Sequence, residues 1–464
     1  MSADWPILTL GDVCEKITDG AHNSPKSVLV GKPMASVKDL TRFGVDLSNA
    51  RLIASDEFEK LVNQGCQPQI GDVLIAKDGN SALDTVCTVD APLDAVLLSS
   101  VAILRPNKAK LDSDFLKYYF CSPIVIEYLK NNFISGAAIP RVVLKDFRKA
   151  QIKLPPINIQ KNISKILRSI DDKIELNTQT NQTLEQIAQA IFKSWFVDFD
   201  PVKAKIEALA AGGSADDAEF AAMSVISAKT VDELNSLKAS NPEAFNKLAQ
   251  TAALFPKDLD SETGTPAGWN SGVIADIAKL NANSWTKKNR PEQVHYVDLS
   301  NTKNGRIETV TTYGFDEAPS RARRILNSGD TIIGTVRPGN RAFAFIGETE
   351  KPLTGSTGFA VLSPKEEFWT SFVYLATTND DAIDEYARLA DGGAYPAIKP
   401  EVVADTPCVL PTKDIAQKFW QLTGAMLKKA HQARLENEEL AKLRDTLLPK
   451  LLSGEIDLTS EVTA

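Results

Sequence analysis

Residues 159–196 read IQKNISKILRSIDDKIELNTQTNQTLEQIAQAIFKSWF, a stretch that contains neither glycine nor proline. Its apolar residues recur at spacings of three and four. They are Ile163, Ile166, Ile170, Leu184, Ala188, Ile191 and Trp195. This is the a/d pattern of a coiled coil, kept over about four to five heptads. The stretch therefore predicts one long helix with a narrow apolar stripe.

A second stretch of the same kind begins at Asp414 and is predicted to end at Pro449, because proline interrupts a helix. Its stripe consists of Ile415, Phe419, Leu422, Met426, Ala433, Leu440, Leu443 and Leu447. A helix of about 35 residues is roughly 50 Å long at ~1.5 Å per residue. Stripes this narrow favour packing along one long partner helix. The alternative is that each helix packs on its own globular domain.

The chain also repeats itself, at an offset of roughly 256 to 264 residues. Trp5, followed by a Gly-Asp turn, returns as Trp269. The other matching pairs are QIGDVLIAKDGN (69–80) with NSGDTIIGTVRPGN (327–340), SSVAILRPNK (99–108) with GFAVLSPK (358–365), SGAAIP (135–140) with DGGAYP (391–396), and KLPPINIQK (153–161) with VLPTKDIAQK (409–418). The period is far longer than the ~20 to 50 residues of a solenoid repeat. It indicates a duplicated domain, each copy followed by its long helix.

The composition within each copy switches from mixed to helical. Gly-Asp turns lead into β-rich runs such as VLIA (73–76) and TIIG (331–334), with short helices between them. The predicted fold is α+β, with two mixed domains and two long helices. The predicted boundaries are a first domain at 1–153, a first helix region at 154–199, an insert of short helices and surface linker at 200–264, a second domain at 265–410, a second helix region at 411–454 and a tail at 455–464.

Composition excludes several classes of protein. Lys and Arg number 52 against 60 Asp and Glu, so the formal charge of −8 argues against a protein that coats nucleic acid non-specifically. The five cysteines include no CxxC pair and the three histidines are far apart, so neither a disulfide framework nor a zinc site is expected. The sequence shows no secretory signal and no transmembrane segment, and we expect a cytoplasmic protein with no membrane partner.

With this order of domain, helix, domain and helix, the chain resembles the specificity subunits of type I restriction–modification systems over essentially its whole length. The strings that carry the resemblance are LPP followed by QKNISKIL, WFVDFDPVKAK (195–205), PAGW (266–269) and LRDTLLPKLLSGEIDL (443–458). The resemblance implies two target-recognition domains on an antiparallel helix pair, related by a pseudo-two-fold axis. Each domain would read one half of a split, asymmetric target in double-stranded DNA.

The resemblance also implies the partners. The helices would dock two methyltransferase subunits, which use S-adenosylmethionine to methylate adenine at N6, and restriction subunits, which use ATP and Mg²⁺, would join through them. This chain would hold no cofactor and no metal and would not itself be an enzyme. An adaptor whose mixed domains bind protein remains an alternative, and so does an autonomous enzyme. The sequence offers no phosphate-binding loop, and its one Pro-Pro pair, Pro155-Pro156, lacks the Asn/Asp and aromatic neighbours of an amino-methyltransferase motif.

Residues for DNA contact are expected in loops that carry cations, where Arg or Lys reads guanine or phosphate and Asn reads adenine. A β-turn with solvated side chains is the competing interpretation. The candidates are Lys26, Lys38, Lys77, Asn80, Arg141, Lys287, Lys288, Arg321, Arg323, Arg324, Arg337, Asn340 and Arg341. The candidate subunit-interface residues on the helices are Ile163, Ile166, Ile170, Leu184, Ile191, Trp195, Phe419, Leu422, Met426, Leu440 and Leu447.

Overall fold

The structure, a computed structural model, describes residues 4–79, 82–135 and 140–458. The chain forms two compact units. The first unit consists of the chain up to Thr178 together with the chain from Leu435 onward, and the second unit is Gln179–Arg434. Both long helices, Ile157–Phe196 and Lys413–Ser453, therefore contribute one part to each unit.

The first unit contains a four-stranded antiparallel sheet with the order Cys14–Asp19, Val101–Pro106, Val73–Ala76 and Val86–Thr88. The remaining strands are Ile7–Thr9, Lys32–Ala35, Leu40–Thr41, Gly44–Val45, Arg51–Ile53, Val96–Leu97, Ile134–Ser135, Arg141–Val142 and Gln151–Lys153. The short helices are Leu10–Val13, Ser55–Asn63, Ser113–Cys121, Pro123–Phe133 and Leu144–Phe147, with a 3-10 turn at Val37–Asp39. Val73–Ala76 is apolar and fully buried, as a strand covered on both faces requires.

The second unit repeats this sheet as Ala278–Leu280, Phe359–Pro364, Thr331–Gly334 and Phe343–Phe345. Its other strands are Asn270–Val273, Gln293–Val297, Thr302–Lys303, Arg306–Ile307, Thr311–Gly314, Ala322–Leu326, Leu353–Ser356 and Pro407–Leu410. Its short helices are Ile274–Ile277, Thr370–Thr378, Asp380–Leu389 and Pro400–Ala404, with 3-10 turns at Leu299–Asn301, Pro338–Asn340 and Glu367–Trp369. The internal repeat of the sequence is thus a repeat of sheet order.

Each mixed domain is closed by its first and last strands. Ile7–Thr9 pairs with Gln151–Lys153, and Asn270–Val273 pairs with Pro407–Leu410, both antiparallel. The first closing strand ends directly before Leu154-Pro155, and the second ends on Leu410 of Leu410-Pro411, so in both copies a Leu-Pro sequence connects the strand to a long helix.

The sheet register corrects one correspondence between the copies. The loops KDGN and RPGN align by their Gly-Asn letters, but the backbone places Gly79 opposite Pro140 and Arg337 opposite Pro396, through hydrogen bonds of 2.9 and 2.7 Å. Gly79, not Lys77, is therefore the structural counterpart of Arg337. Relative to the sheet, the Gly-Asn pair therefore lies two positions later in the second copy, which the letters alone conceal.

The long helices pack on globular domains as well as along each other. In the first unit, Ile163 and Leu167 are fully buried in the same core as Phe115 and Ile152 of the mixed domain. In the second unit, Trp195 and Phe196 lie in one aromatic core with Trp269, Phe372 and Phe419. The two predicted modes of packing are therefore not alternatives, because each helix end does both.

The prediction that the second long helix ends at Pro449 is wrong. The helix continues to Ser453 with Pro449 inside it. The apolar residues Leu448 and Leu451 of this last turn are 2% and 1% exposed in the core of the first unit. Their burial stabilises the turn by more than the one backbone hydrogen bond that proline removes.

Polar contacts show the direction in which the helices run past each other in the first unit. Asp171 contacts Arg444, and six residues later Asn177 donates to the side chains of Glu436 and Asn437 at 2.8 and 2.9 Å. Rising numbers on one helix meet falling numbers on the other, so the pair is antiparallel. A buried amide layer of this kind fixes the register of a helix pair, because sliding one helix along the other would leave the amide groups without hydrogen-bond partners.

The insert between the copies has its own small core. Its helices are Asp200–Ala210, Ala215–Ser227, Val231–Ser240 and Pro242–Ala253. Met223, Leu234 and Phe245 pack together there. Lys205, whose side chain is 2% exposed, donates to Glu219 and to the Phe255 carbonyl, both at 2.8 Å. In the described ranges, no helix combines the length and hydropathy that a membrane-spanning segment needs.

Candidate nucleic-acid interface

Two arginines of the second unit, Arg290 and the predicted candidate Arg323, lie against the ring of Phe315. The guanidinium of Arg323 lies 5.1 Å from the centre of this ring and that of Arg290 lies 5.9 Å from it. The turn that carries Lys287 and Lys288, both exposed, joins the same strand edge, since the amide of Trp285 donates to the carbonyl of Arg323 at 2.8 Å. Arg290 also forms an ion pair with Asp316 at 2.6 Å, whereas Arg323, Lys287 and Lys288 would suit the phosphates of a duplex.

The turn itself is rigid for a local reason. Asn289 accepts hydrogen bonds from the amide and the hydroxyl of Thr286, both at 2.6 Å, and Thr286 accepts from the amide of Lys288. Such side-chain-to-backbone bonds define a turn without any help from the sheet. The two lysines are thus presented on a fixed backbone.

Three of the candidate arginines lie in the run SRARR (320–324). Two of them have partners within the domain. Arg321 donates to the Tyr296 hydroxyl at 2.9 Å and forms an ion pair with Asp298, while its side chain stays 57% exposed. Arg324 donates to Ser284 at 3.3 Å, and burial lowers the pKa of its guanidinium. Because these two arginines already have partners, the run offers less unpaired positive charge to DNA than its sequence suggests.

The loop at Pro338–Asn340 brings two further candidates to the surface. Arg337 and Asn340 are exposed, and Arg337 lies over the ring of Tyr395. Arg341, by contrast, points back into the domain, where it donates to Asn304 at 3.1 Å and to Asp380 at 2.6 Å.

Arg341 and Asp380 line a cleft of about 920 Å³ in the second unit. Its lining also includes Tyr374, whose hydroxyl donates to Glu185 on the first long helix at 2.7 Å. Burial, followed by the nearby Glu185 carboxylate, raises the pKa of the Tyr374 phenol well above its ordinary value. The cleft thus carries both signs of charge.

In the first unit, the side chains of Lys77, Arg141 and His22 alternate with the carboxylates of Asp19 and Asp78. The ammonium of Lys77, 6% exposed, contacts Asp19 at 2.5 Å and Asp78 at 4.0 Å. Arg141 donates to Asp78 at 3.0 Å and His22 lies 3.2 Å from Asp19, and these outer members are 62% and 76% exposed. Lys77 therefore holds two carboxylates in place, while Arg141 and His22 face outward.

Three other candidates of the first domain are less informative. Lys26 and Lys38 are exposed, and the amide of Lys38 donates to Ser36 within a 3-10 turn. Asn80 lies outside the described residues. Whether any of these side chains contacts DNA stays a prediction.

The predicted interface residues of the helices differ in exposure. Ile163, Ile170, Trp195 and Phe419 are at most 8% exposed within their own units. Partly buried residues are Ile166, Leu184, Ile191, Met426, Leu440 and Leu447. Leu422 is 39% exposed. Other exposed apolar residues on the helices are Leu176, Ile187, Leu435 and Leu443. The heptad pattern does not separate exposed apolar residues from buried ones.

Groups of His, Cys, Asp or Glu suited to a metal ion do not occur in the part of the chain that the structure describes. Burial raises the pKa of the Cys14, Cys87 and Cys408 thiols to about 12. Thiols with pKa values this high carry little thiolate at neutral pH and are poor nucleophiles.

Two functional candidates, Phe315 and Tyr395, were missed at the level of sequence. Phe315 precedes the SRARR run within a few residues, and Tyr395 lies in the DGGAYP match. An aromatic residue close to a basic run was the available signal, since arginine stacks on aromatic faces.

The comparisons with known proteins agree with this architecture. The family model for the type I restriction modification DNA specificity domain matches residues 2–186. The type I restriction enzyme HindI specificity subunit of Haemophilus influenzae is 28% identical over 98% of this chain and 100% of its own length. The putative MjaX specificity subunit of Methanocaldococcus jannaschii is 34% identical over 40% of this chain and 41% of its own.

One solved structure has the same fold along nearly the whole chain. The S subunit of a type I restriction–modification system from M. genitalium has a TM-score of 0.51 at 15% identity, and the match covers 97% of this chain and 96% of that one. Residues 2–186 thus match the type I restriction modification DNA specificity domain, and along nearly its whole length the chain is similar to the specificity subunits of type I restriction–modification systems.

Proposed function

We propose that each recognition domain of this DNA specificity subunit reads one half of a bipartite, asymmetric target in double-stranded DNA. As a specificity subunit the chain is the non-catalytic member of its complex. The partners would then carry out the reactions in the cytoplasm: two methyltransferase subunits would methylate adenine at N6 with S-adenosylmethionine, and restriction subunits would join through them and use ATP and Mg²⁺.

One observation carries the proposal. The two units share a sheet order, yet equivalent positions in the loops above it hold different chemistry. Gly79 corresponds to Arg337, and Lys77 corresponds to Thr335, because their amides take the same place in the backbone pairing. Arg141 corresponds in the same way to Ala397. Two domains that agree in framework and differ in polar groups are suited to two different half-sites.

The long helices support the rest of the proposal. At ~1.5 Å per residue each is roughly 60 Å long, enough to set a fixed gap between half-sites. Leu176, Ile187, Leu422, Leu435 and Leu443 leave apolar surface on them, which favours docking of helical partner subunits.

The experiment is an exchange of residues 1–153 for the corresponding domain of another specificity subunit, followed by mapping of methylated adenines in cellular DNA. We expect one half of the methylated motif to change while the other half and the gap stay the same. The matched exchange of residues 265–410 should change the opposite half. A change of both halves in either exchange would refute the two-reader proposal, and an unmethylated genome with the unaltered chain would favour the adaptor alternative.

A further inference from the structure

Tyr395 is an exposed aromatic residue on a closed turn of the second unit. Its side chain is 70% exposed. The turn is fixed at its base, where Asp391 and Ala397 exchange backbone hydrogen bonds of 2.9 and 3.1 Å. Large aromatic side chains on monomeric surfaces are uncommon at such exposure, and a rigid backbone beneath one favours a role in binding.

Arg337 packs against this ring. The carbon of its guanidinium lies 4.5 Å from the centre of the Tyr395 ring, within the range of a cation–π contact. Its Nη2 donates to the carbonyl of Ala394 at 2.6 Å, and its own amide donates to the carbonyl of Pro396 at 2.7 Å. The turn therefore holds the backbone, one edge and one face of Arg337.

The backbone of Arg337 is itself unusual. Its φ is 50°, in the left-handed region that non-glycine residues rarely adopt, and Pro338 follows it. The corresponding position in the first unit is Gly79, with φ of 92°. An arginine placed where the fold prefers glycine is a local strain, and such strain is found most often at functional sites.

The hydrogen bond to Ala394 leaves donors to spare. A guanidinium presents its N–H groups as a planar fork, so a single bond from Nη2 leaves one edge with two parallel donors. Among the described residues, the guanidinium of Arg337 donates to one acceptor, the carbonyl oxygen of Ala394. The O6 and N7 atoms of guanine in the major groove accept such an edge in a bidentate manner.

We propose that Tyr395 is a positioning residue for DNA reading: its ring orients Arg337 so that the free edge of the guanidinium donates to O6 and N7 of one guanine. The inference rests on the proposed function and concerns the half-site that the second unit reads. A phosphate offers two adjacent acceptors as well, so the test must separate a base contact from a phosphate contact.

The test uses the full chain in complex with its methyltransferase subunits and a duplex that carries the methylated motif. The variants are Tyr395→Ala, Tyr395→Phe and Arg337→Lys. Lys238→Ala is the matched control, because it removes another exposed cation–π contact, 5.4 Å from Phe245 in the insert. Binding is measured on the target, on an unrelated duplex and on targets in which single guanines are replaced by 7-deazaguanine, which lacks N7.

We expect Tyr395→Ala to weaken binding to the target about 3- to 30-fold, the range of cation–π contacts as they become desolvated, with no change on the unrelated duplex. Tyr395→Phe should retain the affinity, because the ring face and not the hydroxyl orients Arg337. One 7-deazaguanine position should reproduce the loss, and there Arg337→Lys should add nothing further. The Lys238→Ala control should bind as the unaltered chain does.

Equal losses on target and unrelated DNA, with a shallower salt dependence, would assign Arg337 to a phosphate and overturn the inference. Unchanged affinity of Tyr395→Ala, while the unaltered chain still prefers its target, would overturn it and leave the proposed function intact. If the unaltered complex shows no preference for any sequence, the proposed function fails, and the inference fails with it.

Discussion

The carboxylate of Asp72 accepts two hydrogen bonds from the guanidinium of Arg105, each 2.8 Å long, at one end of the two inner strands of the four-stranded sheet in the first unit. The repeat places Asp330 in the equivalent position of the second unit, but Ser363 stands where Arg105 would be. Both are the aspartate of a Gly-Asp turn and are buried, at 0% and 2% exposure. The same turn is thus balanced by a cation in one unit and by hydrogen bonds alone in the other.

This difference predicts opposite effects of the same substitution. Asp72→Asn should lower the free energy of unfolding by about 2 to 3 kcal/mol, because it leaves Arg105 partly buried without its carboxylate. Asp330→Asn should cost nothing or stabilise, since the amide oxygen of asparagine can still accept from the Asn327 amide. Scanning calorimetry of both variants at neutral pH provides the comparison. A loss of similar size in both would show that the cation is irrelevant.

The second prediction concerns pH. Burial raises the pKa of the Asp330 carboxyl above its ordinary value, and the bonds from Asn327 and Ser363 offset this only in part. Between the unfolded and the folded pKa the native state binds more protons, so stability decreases as pH rises through that window. The free energies of unfolding of the unaltered chain and of Asp330→Asn, measured by urea denaturation and plotted against pH, should therefore converge toward acidic pH. A difference in free energy of unfolding that is the same at every pH would contradict the raised pKa of the Asp330 carboxyl.

A third prediction follows from the close approach of Gly347 to His431. A Cβ atom at Gly347 would lie 2.3 Å from the imidazole Cγ of His431, whose Nε2 is bonded to the Glu348 carbonyl at 2.7 Å. Gly347→Ala should destabilise the second unit by about 1 to 3 kcal/mol through overpacking. His431→Ala should cost about 1 kcal/mol alone, for the lost hydrogen bond, and should relieve most of the Gly347→Ala effect in the double variant. Simple additivity of the two effects would rule out the clash.

A fourth prediction separates docking from folding on the second long helix. Leu422→Glu should abolish stable association with the methyltransferase subunit, measured by size-exclusion chromatography, while the thermal midpoint stays unchanged because the side chain is 39% exposed. Gln421→Glu adds the same charge to the neighbouring exposed position and is the control. Phe419→Ala should instead cost about 3 to 5 kcal/mol of stability, since the ring is fully buried. Normal assembly of Leu422→Glu would exclude this face from the interface.

The sequence was most informative where periodicity and repetition act together. The stripe from Ile163 to Trp195 predicted the first long helix to within two residues, and the order of matching segments anticipated the doubled sheet. The end of the second helix was wrong, because a proline rule is local whereas the burial of Leu451 is tertiary. Heptad position likewise does not distinguish a residue that faces a globular core from one that faces outward.

The candidate site was less predictable, for a physical reason. A basic residue in a loop has the same letter whether it is exposed, as Arg337 is, or buried against a carboxylate, as Lys77 is against Asp19. The partner comes from a strand distant in sequence, and only the fold brings the two together. Phe315 and Tyr395 were missed because their meaning depends on which arginine lies over them.

The discontinuity of the first unit has a consequence for biosynthesis. Leu448, Leu451 and Leu458 complete a core whose other members are translated before the whole second unit. While the ribosome is adding Gln179–Arg434, the nascent first unit exposes the apolar groove that these leucines later fill. Only a chain translated past this segment can close the groove, so a prematurely terminated product cannot complete the core of its first unit.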